Sequence, residues 1–166
     1  KAITLVKKYI RIQPHIQKKV ECFVEDHFYG DYIIGVHYRG TDKYSEAPRV
    51  DYNVIIAAVR GQIPKEKSYQ IFVASDEQSF VEKMQQEFSS QIVTRDVHRA
   101  IGLEGVHFSD HNGYQLGEEA LIDSLLLSKC DLLIRTSSNL SLWSTYFQPH
   151  IPVIFVMHPI KQAKKL

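Results

Sequence analysis

The stretch that decides the fold is YIIGVHYRGTD, residues 32–42. Its first half, residues 32–36, is an unbroken apolar run, which is typical of a strand that is buried on both faces. Polar side chains follow at once, and three of them, His37, Arg39 and Asp42, can carry chemistry. A buried strand that ends in such residues predicts a ligand site at the carboxyl edge of an α/β sheet.

Strands and helices alternate along the rest of the chain, which is the pattern of a parallel sheet with helices on both faces. The apolar runs predict strands at residues 32–36, 69–74, 91–94, 131–134 and 152–156. Helical spacing and capping residues predict helices that begin at Pro14 and that span residues 51–61, 78–88, 117–128 and 139–147. We therefore predict one domain, residues 1–166, with a Rossmann-like open parallel sheet of about five strands.

The predicted order of the strands is 3-2-1-4-5, from right-handed crossovers plus one reversal. The reversal opens a crevice between the carboxyl ends of the first and fourth strands, where ligands of such sheets bind. Arg39 follows the first strand and offers a fork of donors that matches phosphate, unless it is an ion-paired surface arginine. Ser137 and Ser138 follow the fourth strand and open a helix, whose N–H groups favour an anion, although the serines are helix caps in either case.

The overall composition argues against several classes of partner. The chain has a formal net charge of +1 over 166 residues, so it lacks the charge excess by which many proteins attract nucleic acid. No apolar run approaches the roughly 20 residues that cross a bilayer. Neither a G-x-G-x-x-G after the first strand nor a G-x-x-x-x-G-K-[ST] motif occurs. We expect neither nucleic acid nor a membrane as a partner of this segment.

Three side-chain patterns outside the strand ends bear on the site. Asp123 lies on an otherwise apolar helical stretch, so it requires a partner or a ligand if it is buried. His107 and His111 are four residues apart, but they lie in a glycine-bearing loop rather than on a firm helix, and no metal is expected. Trp143 recurs at helical spacing with other apolar residues and is predicted to be a core residue.

Residues 37–43 resemble the H-x-R-R/x-x-D motif that α1,6-, α1,2- and protein O-fucosyltransferases share with the bacterial nodulation enzymes. Two further blocks follow in the same order: a strand and acidic turn at residues 72–77, and a helix, strand and serine-rich turn at residues 120–139. The resemblance covers residues 33–147, most of the chain. One departure is Gly40, which stands where many relatives have a second arginine.

The resemblance implies a GT-B glycosyltransferase, of which this chain is the C-terminal, GDP-fucose-binding half. It implies a metal-independent, inverting transfer of fucose from GDP-fucose to a glycan or protein acceptor, with no further cofactor. The N-terminal half of the same protein is then the missing partner, because the acceptor site of GT-B enzymes is shared between both halves.

The resemblance also implies roles for individual side chains at the donor site. Arg39 is expected to hold the β-phosphate and to stabilise the departing GDP, with His37 and Asp123 near the guanine or ribose. The pyrophosphate is expected to meet the helix start at Ser138 and Asn139. The donor-binding set is therefore predicted to be His37, Arg39, Lys43, Asp76, Asp123, Ser137, Ser138 and Asn139.

Catalysis would draw on Arg39 and on two carboxylates that follow the motif. Asp42 and Glu46 are candidates for the base that takes the acceptor proton. Alternatively, Asp42 orients Arg39 or caps the loop. Lys43 is a candidate to supply the positive charge that Gly40 lacks.

The predicted fold is compatible with other functions as well. Gly40 motivates a binding module that keeps the nucleotide-sugar crevice but has lost transfer. A different nucleotide-sugar glycosyltransferase would use the same crevice. A flavodoxin-like nucleotide or flavin binder would share the sheet and place its ligand at the same edge.

Overall fold

The computed structural model describes residues 2–40, 49–97, 99–100 and 113–157. Five parallel strands form its sheet, in the order β3-β2-β1-β4-β5, which confirms the predicted topology. The strands are β1 (Tyr32–Tyr38), β2 (Tyr69–Ser75), β3 (Ile92–Val93), β4 (Leu132–Arg135) and β5 (Val153–Phe155). Both β1 and β2 extend past their apolar runs, so His37 and Ser75 belong to the strands themselves.

Helices cover both faces of this sheet. They are α1 (Ala2–Tyr9), α2 (Pro14–His27), α3 (Tyr52–Arg60), α4 (Gln78–Phe88), α5 (Gly113–Leu127) and α6 (Asn139–Phe147). The sequence does not predict α1, which is separate from α2 because Gln13, the residue before Pro14, is extended with φ −61° and ψ 141°. The prediction that α5 begins at Gly117 is wrong by one turn, since the exposed Gly117 is tolerated inside the helix.

Alternation along β1 sends consecutive side chains into two separate cores. Ile34, Val36 and Tyr38 belong to the core beneath α3 and α4. Ile33 belongs to the second core, which α2 and α5 cover. His37 follows the register of Ile33, so its side chain points toward the α5 side of the sheet.

Gly35 lets α5 and the turn after it lie close against β1. A Cβ atom at position 35 would stand 2.9 Å from Sγ of the buried Cys130 and 3.2 Å from a methyl group of Leu127. This close approach fixes how far the residues of α5 stand from the carboxyl end of β1.

No helix among residues 2–40, 49–97 and 113–157 is long and apolar enough to cross a bilayer.

Candidate functional site

A cleft opens at the carboxyl ends of β1 and β2, between these strands and α5. Four of the predicted site residues line it: His37, Arg39, Asp76 and Asp123. The sequence predicts the crevice between β1 and β4, where Oγ1 of Thr136 accepts a hydrogen bond of 3.2 Å from the Arg39 amide. The cleft is instead displaced toward β2, and its further lining includes Ser75, Val97, Leu116, Glu119, Ala120 and Leu140.

His37 stands in the wall of the cleft, near the end of β1, and is 4% exposed. Burial lowers its pKa to about 3, and the positive charges of Arg135 and Arg39 add to the shift. The imidazole is therefore neutral at physiological pH and can both donate and accept a hydrogen bond. Its Nδ1 atom is buried and has no hydrogen-bond partner among the described residues, so the described contacts do not offset the desolvation of this polar atom.

The backbone that carries Arg39 is held on both sides. Its amide donates to Thr136 at the end of β4, as above, and the next amide, that of Gly40, donates to Oδ1 of Asp76 at 3.2 Å. The half-buried Arg39 side chain lines the cleft from this fixed base. A guanidinium so placed suits a phosphate, because its planar donors match two oxygens at once.

Asp123 has the partner that its apolar helix required. Nη1 of Arg95 lies 2.8 Å from its Oδ1 atom and also donates to the backbone oxygen of Glu119 at 3.0 Å. Burial raises the pKa of the Asp123 carboxyl above its ordinary value, while the positive charge of Arg95 opposes that shift. The ion pair thus partly opposes the effect of burial on this carboxyl group.

The start of α6 is ordered by its own residues rather than by the cleft. The buried Ser138 is the N-cap, and its hydroxyl accepts from the Leu140 amide at 3.2 Å, as predicted. Its carbonyl accepts from the Arg135 guanidinium, which fixes the turn after β4. Ser137 and Asn139 are exposed next to this turn, and Leu140 is the residue of α6 that lines the cleft. The serine turn therefore borders the cleft without forming its wall.

Several predicted residues lie outside the described part of the chain. They are Asp42, Lys43 and Glu46, together with His107 and His111. Among the described residues, no group of three or more His, Cys, Asp or Glu side chains is placed to hold a metal ion. The prediction that Trp143 is a core residue is wrong: its side chain is 39% exposed, because α6 turns that face away from the sheet.

The predicted set of site residues leaves out three charged residues at or beside the cleft. Glu119 lines it, Arg95 pairs with Asp123, and Glu77 is buried directly behind Asp76. Arg95 and Glu77 both follow a predicted strand, which is the signal that marked the other candidates. Their partners lie 28 residues away in each case, so only the folded chain identifies the pairs.

Comparison with known proteins places the chain beside one family. The family model described as Nodulation protein Z (NodZ) matches residues 4–158. Nodulation protein Z of Azorhizobium caulinodans is 28% identical over 147 residues, which are 81% of this chain and 44% of that protein. Nodulation protein Z of Sinorhizobium fredii is 25% identical over 136 residues, which are 76% of this chain and 42% of that protein. The chain thus spans less than half the length of these curated relatives.

Solved structures share the fold. A crystal structure of NodZ α-1,6-fucosyltransferase with GDP superposes with a TM-score of 0.65 at 22% identity, over 92% of this chain and 47% of that one. A mutant of Arabidopsis thaliana FUT1 in complex with GDP superposes with a TM-score of 0.65 at 16% identity, over 99% of this chain and 37% of that one. At these identities the likeness concerns the arrangement of strands and helices.

Proposed function

Because this chain belongs to the nodulation protein Z (NodZ) family, we propose that it is the donor-binding half of a fucosyltransferase and binds GDP-fucose in the cleft at the ends of β1 and β2. The single observation that carries this proposal is the convergence of His37, Arg39, Asp76 and Asp123 on one cleft. It is supported by the complex of a NodZ α-1,6-fucosyltransferase with GDP, whose fold this chain shares.

Arg39 is the group that we assign to the phosphates. Displacement at the anomeric carbon passes through an oxocarbenium-like state while negative charge grows on the departing phosphate. Thr136 and Asp76 hold the backbone at residues 39 and 40, so the guanidinium starts from a fixed point at the cleft and less reorganisation is needed as the charge develops. Arg39 thus acts where the charge changes most between the bound donor and the transition state.

We assign the base or ribose of the nucleotide to His37 and Asp123. The neutral imidazole can both donate and accept a hydrogen bond, and its buried Nδ1 atom has no partner among the described residues. The side chain of Asp123 accepts from Arg95 through Oδ1. A carboxylate pairs well with the adjacent N–H groups on one edge of guanine, whereas adenine lacks that pair of donors. Together the two side chains account for a preference for a guanine nucleotide.

The transfer step needs groups beyond those that line the cleft. Asp42 and Glu46 are the candidates for the acceptor base, and Lys43 is the candidate for additional charge on the phosphates. Asp76, Ser137, Ser138 and Asn139 complete the proposed donor site, as the resemblance implies. The acceptor, a glycan or protein, would bind between this chain and the second half of a longer protein, since the curated relatives are about twice as long.

The decisive experiment is a calorimetric titration of the chain with GDP, GDP-fucose, UDP-sugars and FMN. We expect GDP and GDP-fucose to bind and the other ligands to bind at least tenfold more weakly. Arg39→Ala is expected to lower the affinity for GDP about 10- to 100-fold, because a hydrogen bond to a charged group contributes about 1.5–3 kcal/mol. Arg60→Ala is the matched control. Arg60 is an exposed arginine that pairs with Glu87 at the C-terminal end of α4, and neither residue lines the cleft.

Each alternative function makes a different prediction in the same titration. Tightest binding of FMN would favour a flavodoxin-like protein, and tightest binding of a UDP-sugar would favour a different glycosyltransferase. Binding of GDP-fucose by the longer protein without release of GDP in the presence of acceptors would favour a binding module, for which Gly40 is the motivating feature.

A further inference from the structure

Glu77 is a buried carboxylate that the donor site does not use directly. It follows β2, is 1% exposed, and does not line the cleft. Its Oε2 atom lies 2.8 Å from the Arg49 guanidinium and also accepts a hydrogen bond from the Tyr52 hydroxyl. Its Oε1 atom has no hydrogen-bond partner among the described residues. A buried carboxylate oxygen without a partner is costly, so this arrangement calls for an explanation.

The carboxylate occupies the space next to Gly40. A Cβ atom at position 40 would lie 2.7 Å from Cδ of Glu77, closer still to its Oε1 atom, and 2.6 Å from Cε1 of Tyr38. These distances are shorter than any ordinary contact, so a side chain at position 40 would displace the carboxylate. The backbone of Gly40 is not in the left-handed region, and the constraint at this position is therefore space rather than conformation.

Residues 76 and 77, which follow β2, thereby contact the Gly40 backbone at two points. Asp76 accepts from the Gly40 amide at 3.2 Å, and the Glu77 carboxylate abuts the Gly40 Cα on the side facing α3 and α4. Arg49 holds Glu77 in this place through a side chain that is itself 40% exposed. The contacts form a chain from Arg49 through Glu77 and Gly40 to Arg39, whose side chain lines the cleft.

We propose that Glu77, held by Arg49 and Tyr52, is a positioning residue that sets the Gly40 backbone and thereby aims Arg39 at the phosphates of the donor. In this arrangement the guanidinium partner of Glu77 is Arg49. Position 40 has no side chain, and the Glu77 carboxylate lies in the space that a side chain there would need. The inference rests on the proposed function, because Arg39 has to bind phosphate for its aim to matter.

The test is a double-mutant cycle between Glu77 and Arg39, measured as GDP affinity by calorimetry on the folded 166-residue chain. Glu77→Gln keeps the size of the side chain and removes its charge. We expect it to lower the affinity for GDP about tenfold when Arg39 is present, and less than about twofold in the Arg39→Ala background, because Glu77 acts through Arg39. If Glu77 served stability alone, Glu77→Gln would lower the affinity for GDP by the same factor with Arg39 and with Arg39→Ala, and that result would overturn the inference.

Glu87→Gln is the matched control. Glu87 is a second glutamate on this side of the sheet, on α4, and is ion-paired with Lys83 at 2.8 Å, but it does not line the cleft. GDP affinity should not change in this variant. If Glu77→Gln does not fold, Arg49→Gln tests the same chain of contacts from its exposed end, and it too should weaken GDP only when Arg39 is present.

The outcomes separate this inference from the proposed function. If GDP does not bind, or if Arg39→Ala leaves its affinity unchanged, the proposed function fails and the positioning role fails with it. If GDP binds and Arg39→Ala weakens it, while a folded Glu77→Gln variant keeps the full affinity, only the positioning role is refuted.

Discussion

The chemistry of His37 is set by its place at the end of β1. Burial and the nearby arginines Arg135 and Arg39 all disfavour a second positive charge on the imidazole, so its pKa falls to about 3. A histidine in a sequence suggests a group that changes charge near neutral pH. Here the folded chain removes that property and leaves a neutral hydrogen-bonding group in the cleft wall.

This shift predicts how stability depends on pH. The folded pKa lies below the ordinary value of 6.5, so the unfolded chain binds a proton first as pH falls. Stability from the neutral His37 is therefore complete above about pH 6.5, and we expect it to decline toward pH 3 by up to about 1.4 kcal/mol per pH unit. Urea unfolding at several pH values should show a shallower decline in His37→Gln, and equal slopes would contradict the assignment.

The residue types at the strand ends could be recognised from the sequence, whereas their partners could not. Arg39 and Asp123 were predicted as site residues because an arginine after a buried strand and an aspartate on an apolar helix are both unusual. The ion pair between Arg95 and Asp123 depends on how α5 packs over β1 and β2, which no local pattern encodes. The same holds for Glu77 and Gly40, whose contact arises from two neighbouring strands.

At the scale of elements, the start of α6 places a buried serine next to an exposed one. The bounds of this helix were predicted correctly, because Ser138 is a strong N-cap signal and the apolar residues that follow keep helical spacing. Ser138 is buried and serves the helix, while Ser137 is exposed beside the cleft. Adjacent serines of similar sequence context are thus expected to respond differently to substitution.

We expect Ser138→Ala to lower the free energy of unfolding by about 1 kcal/mol, because the Leu140 amide loses its acceptor. For a chain of this length the melting temperature should fall by roughly 2–4 °C. Ser137→Ala should leave the melting temperature unchanged and lower the affinity for GDP a few-fold, since the proposed role of Ser137 is in ligand contact. Differential scanning calorimetry with and without GDP compares the two variants, and destabilisation by Ser137→Ala would contradict this division.

At the scale of the whole molecule, the cleft belongs to the sheet rather than to any one segment. Residues from β1, from the turn after β2 and from α5 meet at one edge, although Arg39 and Asp123 are far apart in sequence. Parallel strands with right-handed crossovers bring all their carboxyl ends to the same side. The order of strands therefore determines which of these polar groups become neighbours.

The proposed division of labour predicts that the 166-residue chain binds GDP but does not transfer fucose. Donor binding needs the cleft described above, whereas the acceptor would be held between two halves of a protein about twice this length. Release of GDP from GDP-fucose should be absent in the chain alone and present in the longer protein, where Arg39→Ala should reduce it. Transfer by the 166-residue chain alone would show that the second half is dispensable.

Patterns in the sequence predicted the order of the strands, the bounds of α6 and Arg39 as a phosphate-binding residue, and the family resemblance added His37, Asp76 and Asp123 to the donor site. The strand order and the helix bounds follow from local periodicity, capping chemistry and the handedness of crossovers, which act over short distances along the chain. Tertiary packing alone places the cleft at the ends of β1 and β2 and brings Thr136 to the Arg39 amide. It also decided that Glu77 occupies the space at Gly40, because contacts between strands depend on register and packing in three dimensions.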